Sequence, residues 1–235
     1  MTGAAEKVNL LGMPKAKLEA FFETLGEKRF RAQQVLQWMH QRGVDDFDQM
    51  TNMSKSLREQ LKEVAEIRGP EVVYDETSKD GTRKWVMRMD NGNSVETVLI
   101  PDGERGTLCV SSQIGCAMGC QFCATGTMNL IGDLDTSEIL EQVALITRHE
   151  CARSRPAPRN VVFMGMGEPL ANYQSVSAAV TSLCDPFHFA LRKKGVTVST
   201  VGVAPALKKL TREHPEVRVA LSLHAPSQEL RARIV

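Results

Sequence analysis

The chain has 235 residues, 42% hydrophobic and 24% charged, enough for a sizeable core split between one larger and one smaller domain. Its formal net charge is only +1, which excludes a whole-protein positive field as a means of attracting nucleic acid. No apolar run reaches the roughly 18 residues of a membrane-spanning helix, so no membrane partner is expected.

The opening Met1-Thr2-Gly3-Ala4-Ala5-Glu6-Lys7 lacks a basic-then-apolar leader. Six cysteines then read as metal ligands and reactive thiols in a reducing, cytoplasmic setting, not as a disulfide scaffold. Any RNA contact must come from local patches. Lys28-Arg29-Phe30-Arg31, Arg153 to Arg159 and Arg192-Lys193-Lys194 are the candidates, although such a patch is more often just a solvated loop or helix face.

Residues from about 13 to 66 read as a small helical unit. Leu18, Phe21, Phe22 and Leu25 keep helical spacing up to Gly26, and Val35, Leu36 and Met39 repeat it up to Gly43. Ser54 stands as an N-cap before Leu57, Leu61 and Val64. Strand formers follow at Val72 to Tyr74, Lys84 to Met89 and Val95 to Ile100. Lys79-Asp80-Gly81 and Asp90-Asn91-Gly92 separate them as turns, which predicts a three-stranded antiparallel meander.

From about residue 106 strand and helix alternate. Strands are expected at Leu108 to Ser111, Asn160 to Met164, Val196 to Thr200 and Val217 to Leu223. A helix is expected over Thr136 to His149, with Thr136 or Ser137 as its cap. Such a βα series predicts a parallel sheet or barrel with its site at the strands' carboxyl ends. Only four strands of this kind are present, which fits a fragment of a longer chain or a truncated gene model with an open sheet edge. The expected organisation is a helical domain at 1–68, an antiparallel β extension at 69–104 and an incomplete α/β core at 105–235.

The run Ile114-Gly115-Cys116-Ala117-Met118-Gly119-Cys120-Gln121-Phe122-Cys123 carries three thiols on one glycine-punctuated loop. Three thiolates can hold three irons of a [4Fe–4S] cluster and leave the fourth iron open. A structural zinc site would need a fourth donor at ligand spacing, and His149 and Cys151 lie far along the chain. An inert helix face would tolerate the spacing, although the glycines weaken a helix there. Met164-Gly165-Met166-Gly167-Glu168-Pro169 follows a predicted strand and reads equally as a plain turn or as a ligand loop whose Glu168 accepts from an ammonium group. Ser199 and the run Ser222-Leu223-His224 close the next two strands, where polar groups serve local backbone or a ligand.

The cysteine spacing, with Phe122 before Cys123, resembles the signature of the radical S-adenosylmethionine (SAM) superfamily. Four further segments narrow the likeness: Glu96 to Pro101, Leu108 to Cys116, Gly165 to Leu170 and Ser222 to Ala225. Together they resemble the dual-specificity RNA adenine-C2 methyltransferases, the RlmN family, whose C8-methylating relatives of the Cfr type share most of these motifs. The resemblance implies an α/β fold, a partial radical SAM βα barrel preceded by a small helical domain and a short antiparallel β meander. It implies a [4Fe–4S] cluster on Cys116, Cys120 and Cys123, and SAM held by Gly167, Glu168, Ser199, Ser222, Leu223 and His224. Cys109 matches the family's thiol that resolves a covalent enzyme–RNA intermediate, and Glu96 matches its acid/base carboxylate.

The implied activity is methylation of adenine C2 in 23S rRNA and tRNA by a cytoplasmic monomer fed by an external electron donor. In that family a cysteine of the protein is first methylated by SAM, and a 5′-deoxyadenosyl radical from a second SAM then abstracts hydrogen from that methyl. The methyl-carrying cysteine lies near the family's C-terminus, and Cys151 and Cys184 match neither its context nor its place. A SAM-binding asparagine beyond residue 235 has no counterpart either. The chain as given is therefore expected not to complete methyl transfer. Rival readings are a C8 methyltransferase and a non-catalytic iron–sulfur, zinc or RNA-binding fragment.

Overall fold

The structure, a computed structural model, describes residues 7–103, 105–153 and 158–235. The expectations for the leader at 1–6 and for Arg155 within the second basic patch fall outside these residues.

The helical unit forms where the apolar spacing placed it. Helix α1 (Lys15–Thr24) buries Leu18 and Phe22, and α2 (Phe30–Leu36) buries Val35 and Leu36. The chain then widens into a π-turn over Gln37–Gln41 that buries Met39 and His40. Ser54 Oγ accepts the Leu57 N–H at 3.2 Å and caps α3 (Lys55–Val64), the expected cap. Phe22, Leu36, Met39 and Leu61 meet in one cluster. A two-residue parallel pair, β1 (Val8–Asn9) with β2 (Ala65–Glu66), ties the unit's two ends together, which no strand signal announced.

Seven strands form the main sheet. The antiparallel strands are β3 (Glu71–Thr77), β4 (Arg83–Arg88) and β5 (Ser94–Asp102); β6 (Arg105–Val110) pairs antiparallel with β5. The short β7 (Gln113–Ile114) and β8 (Gly132–Asp133) bracket the cysteine loop. The parallel part is completed by β9 (Asn160–Phe163), β10 (Val196–Thr200) and β11 (Arg218–Leu221), in the order β11-β10-β9-β6-β5-β4-β3. The meander thus continues the parallel strands, and Trp85 and Val95 share one core with Leu108 and Phe163.

Helices α4 (Thr136–Ala152), α5 (Tyr173–Cys184) and α6 (Ala204–Glu213) alternate with the parallel strands, and α7 (Gln228–Arg231) follows β11. Ile139, Val143, Val176 and Val180 pack on Leu108, Val161, Phe163 and Val198. The cap of α4 differs from expectation. Asp135, not Thr136 or Ser137, accepts the Glu138 N–H, and Glu138 returns a bond to the Asp135 N–H, both at 2.9 Å. A carboxylate at the cap adds charge complementarity to the helix N-terminus that a hydroxyl lacks. The opposite sheet face carries no helix, so Cys109, Val162, Thr197 and Ser199 on it are only half-buried. Strands β11 and β3 are the two edges of the sheet. Among the described residues no helix is long and apolar enough to cross a membrane.

Candidate active site

The carboxyl ends of β6, β9, β10 and β11 surround a cavity of about 300 Å³. Cys116, Cys120 and Cys123 line it, with Gly167 and Glu168 from the loop after β9, Ser199 from β10, and Ser222 and His224 from the segment after β11. Leu223 is not among the lining residues; it is exposed, and its carbonyl accepts from Ala225 N–H at 2.7 Å and Arg231 Nε at 3.3 Å.

The cysteine loop owes its shape to tight backbone approaches. At Gly115 φ is +75°, and a Cβ there would stand 2.0 Å from the Asn129 carbonyl oxygen. At Gly167 φ is +96°, and a Cβ would meet that of Gln113 at 2.5 Å. Only glycine satisfies both the sign of φ and the space. Cys120 is buried, and burial, reinforced by the neighbouring thiols of Cys116 and Cys123, pushes its thiol above the usual range. Iron at the loop would relieve that crowding of incipient negative charge, because a coordinated thiol deprotonates outright.

Among the described residues no three Cys, His, Asp or Glu side chains converge tightly enough to grip a single metal ion. Cys116, Cys120 and Cys123 do line one cavity, as three protein-held corners of a cluster require. The donor set therefore fits an iron–sulfur cluster with one corner free of protein.

Glu168 is buried and already anchored. Its Oε1 accepts the Leu170 N–H and its Oε2 the Val201 N–H, both at 2.9 Å. Two bonds leave capacity for further donors on a carboxylate with about four acceptor positions. Ser199 Oγ and Ser222 Oγ lie 3.2 Å apart, joining the ends of β10 and β11. The His224 ring rests on that of Phe122, centroids 4.2 Å apart, which draws the segment after β11 onto the cysteine loop. His224 adopts φ of +56°, a left-handed conformation uncommon outside glycine.

Glu96 and Cys109 do not line the cavity but belong to the same open sheet face. Cys109 pairs with Val98 on β5, two residues along from Glu96. It also pairs with Val162, which pairs with Thr197, two residues before Ser199. Alternation along strands then puts Glu96, Cys109 and Ser199 on one side. Glu96 is exposed and bonded to Lys84 Nζ at 3.1 Å. Burial pushes the Cys109 thiol up, partly offset by a backbone hydrogen bond at Met164.

Three buried amides that sequence reasoning passed over hold this site. Gln113 Oε1 accepts the Glu168 N–H at 2.8 Å while its Nε2 donates to Asp133 at 2.6 Å. Asn172 Nδ2 donates to the carbonyls of Ser112 and Leu134, at 2.8 and 2.7 Å. Gln142 accepts from Ser111 N–H and donates to its carbonyl, at 2.9 and 3.0 Å. Their only sequence signal is a polar residue within an otherwise apolar helix face or motif. The Lys28-to-Arg31 patch is partly neutralised by ion pairs of Arg29 with Glu23 and Arg31 with Glu27.

Comparison with known proteins agrees with this geometry. Residues 8–67 match the ribosomal RNA large subunit methyltransferase N-terminal domain, and residues 110–235 match the radical SAM superfamily. The chain is 69% identical to a dual-specificity RNA methyltransferase RlmN of Marinobacter nauticus, over all of this chain and 64% of that protein. It is 52% identical to the protein of that name from Alcanivorax borkumensis, over 99% of this chain and 61% of that one. It thus spans less than two thirds of these relatives' length. A radical SAM methyltransferase crystal structure from Sphaerobacter thermophilus superposes with a TM-score of 0.87 at 37% identity, covering 97% of this chain and 67% of that one. The chain belongs to the radical SAM superfamily.

Proposed function

We propose that these residues form the cluster- and SAM-binding part of a methyltransferase acting on C2 of adenine in 23S rRNA and tRNA. The observation that carries the reading is the single cavity shared by Cys116, Cys120, Cys123, Glu168, Ser199 and Ser222. Superfamily membership implies a [4Fe–4S] cluster and SAM. The relatives' shared name, dual-specificity RNA methyltransferase, supports the RNA substrate.

In this reading Cys116, Cys120 and Cys123 each hold one iron. Glu168, with Gly167 giving room for close approach, accepts from the SAM ammonium group. Ser199, Ser222 and His224 bind its remaining polar groups, and Leu223 contributes through its backbone. When bound, cluster and SAM supply a 5′-deoxyadenosyl radical, which an aromatic carbon without a lone pair requires. Cys109 resolves the protein–RNA bond, and Glu96 moves a proton from the same sheet face. The half-buried Cys109 thiol needs a base to become a nucleophile, and Glu96, two residues from its strand partner Val98, is a carboxylate on that face.

The methyl-carrying cysteine is assigned to a part of the relatives' length that this chain does not span. Neither Cys151 nor Cys184 lines the cavity, and Cys184 sits on α5, on the far side of the sheet from Cys109. The domain limits 1–68, 69–104 and 105–235, an external electron donor, a monomeric state and a cytoplasmic location complete the proposal.

The test is anaerobic cluster reconstitution of this chain, followed by SAM and a chemical reductant. Release of 5′-deoxyadenosine is expected, and bound iron without release overturns the radical reading. Mass spectrometry of nucleosides from added tRNA and 23S rRNA separates C2 from C8 products. Formation of 2-methyladenosine by this chain alone would overturn the placement of the methyl carrier outside it.

A further inference from the structure

The amino ends of the parallel strands hold a second large concavity, about 860 Å³, at the opposite ends of these strands from the cofactor cavity. Arg105, Arg159, Arg192, Lys194 and Arg218 line it, and no acidic residue does. All five are exposed. Neighbouring Lys193 is the one spent on an acid, paired with Glu216 at 2.9 Å. The other five have no ion pair among the described residues.

The fold, not the sequence, gathers these charges. Arg105 opens β6, Arg159 precedes β9, Arg192 and Lys194 precede β10, and Arg218 opens β11. Thr107 pairs with Asn160, Val161 with Val196, and Thr197 with Arg218, so four adjacent strands each present cationic side chains at the same end. Gly195 lets the Arg192–Lys194 segment close on its neighbour: a Cβ there would stand 2.8 Å from the Arg159 carbonyl oxygen. At about 4.8 Å between strands the cations spread over roughly 14 Å, the reach of a few nucleotides of backbone.

We propose that this basic groove docks the phosphate backbone of the RNA substrate, at a surface separate from the cofactor cavity. The inference rests on the RNA methyltransferase reading and adds a second contact to it. Four of the five cations are arginines, whose planar guanidinium matches phosphate in two-point contacts. Arginines already committed to glutamates, as in the Lys28-to-Arg31 patch, would have to break a pair first.

The test is fluorescence anisotropy of labelled tRNA with the cluster-loaded chain over a salt series. Replacing Arg105, Arg159 and Arg218 together by alanine should weaken binding about ten-fold or more and flatten the log–log salt slope by about 2. The triple lysine variant should keep most of the slope, and 5′-deoxyadenosine release should be unchanged in both. Alanine variants that retain wild-type affinity and slope would overturn the proposal, as would loss of all binding on replacing Lys28, Arg29 and Arg31 instead. Tighter binding of poly-glutamate than of tRNA at the same salt would overturn it in favour of an acidic protein partner. Because SAM cleavage is read in the same samples, failure of the groove is distinguishable from failure of the methyltransferase reading.

Discussion

The Glu168 carboxylate accepts the Val201 backbone N–H at 2.9 Å, and so ties the loop after β9 to the loop after β10. A residue assigned to ligand binding is therefore also a structural brace. Glu168→Gln replaces an acceptor oxygen by a donor facing an N–H group, which should lower stability by about 1–3 kcal/mol. It should also weaken SAM binding about ten-fold or more, since a charge-assisted bond to the ammonium is lost. Calorimetric titration of SAM and a thermal melt of the same sample separate the two effects. Unchanged SAM affinity would remove Glu168 from the binding set.

Each of Cys116→Ala, Cys120→Ala and Cys123→Ala should prevent retention of a full cluster and abolish 5′-deoxyadenosine release, while leaving the fold intact. Iron content and the visible absorbance of the reconstituted protein report this. A variant that keeps wild-type iron and cleavage would not be a ligand mutant.

His40 and His188 face each other where the helical unit meets the larger core, ring centroids 4.2 Å apart. None of their four ring nitrogens has a hydrogen-bond partner among the described residues. Burial, with His188 and Arg148 adding to it, holds His40 well below the ordinary histidine range. Burial also lowers His188 to about 3, against a smaller raising effect of Asp185. The unfolded chain therefore binds more protons than the folded one below about pH 6.5. Stability should fall as pH drops from there toward about 3, at up to about 1.4 kcal/mol per pH unit for each ring. His40→Phe with His188→Phe should flatten that limb, as read by denaturant unfolding across pH. Half-buried Glu141 works in the opposite direction: desolvation raises its pKa to about 8, so its contribution is lost as pH rises from about 4.5 through 8.

In the cluster-loaded chain, exposed Cys151 should be alkylated first. Cys109 and Cys184, whose thiols burial pushes up, should react slowly at neutral pH and faster as pH rises. Peptide mass spectrometry over time gives the order, and fast labelling of Cys109 at pH 7 would show a thiolate that this site does not account for.

Asp135→Ala removes one half of the capping box of α4 and should cost about 1 kcal/mol, whereas Ser137→Ala should cost far less at that cap. Thermal melts of the two variants discriminate a carboxylate cap from a hydroxyl cap.

Much of this protein is local, and local features are legible in sequence. Strand alternation in 83–88 and 94–102, helical spacing around Leu18 and Phe22, and the Ser54 cap depend on near neighbours. The cysteine loop is legible for the same reason, because its three thiols lie within the eight residues Cys116 to Cys123. The Asp135 cap was missed because three consecutive candidates, Asp135, Thr136 and Ser137, compete, and only backbone geometry chooses among them.

What the tertiary structure alone decided is which distant residues meet. Gln113, Gln142 and Asn172 read as ordinary polar residues until the sheet brings them to the loops they hold. Glu96 and Cys109 share a face only because β5 and β6 pair with Val98 opposite Cys109. The scattered cations from Arg105 to Arg218 form one groove only because parallel strands align their amino ends. Sequence by itself determined that three thiols share one loop, since that follows from short covalent spacing. Strand register determined everything that depends on neighbours far apart in the chain, because pairing across a sheet is set by packing of the whole core and leaves no local mark.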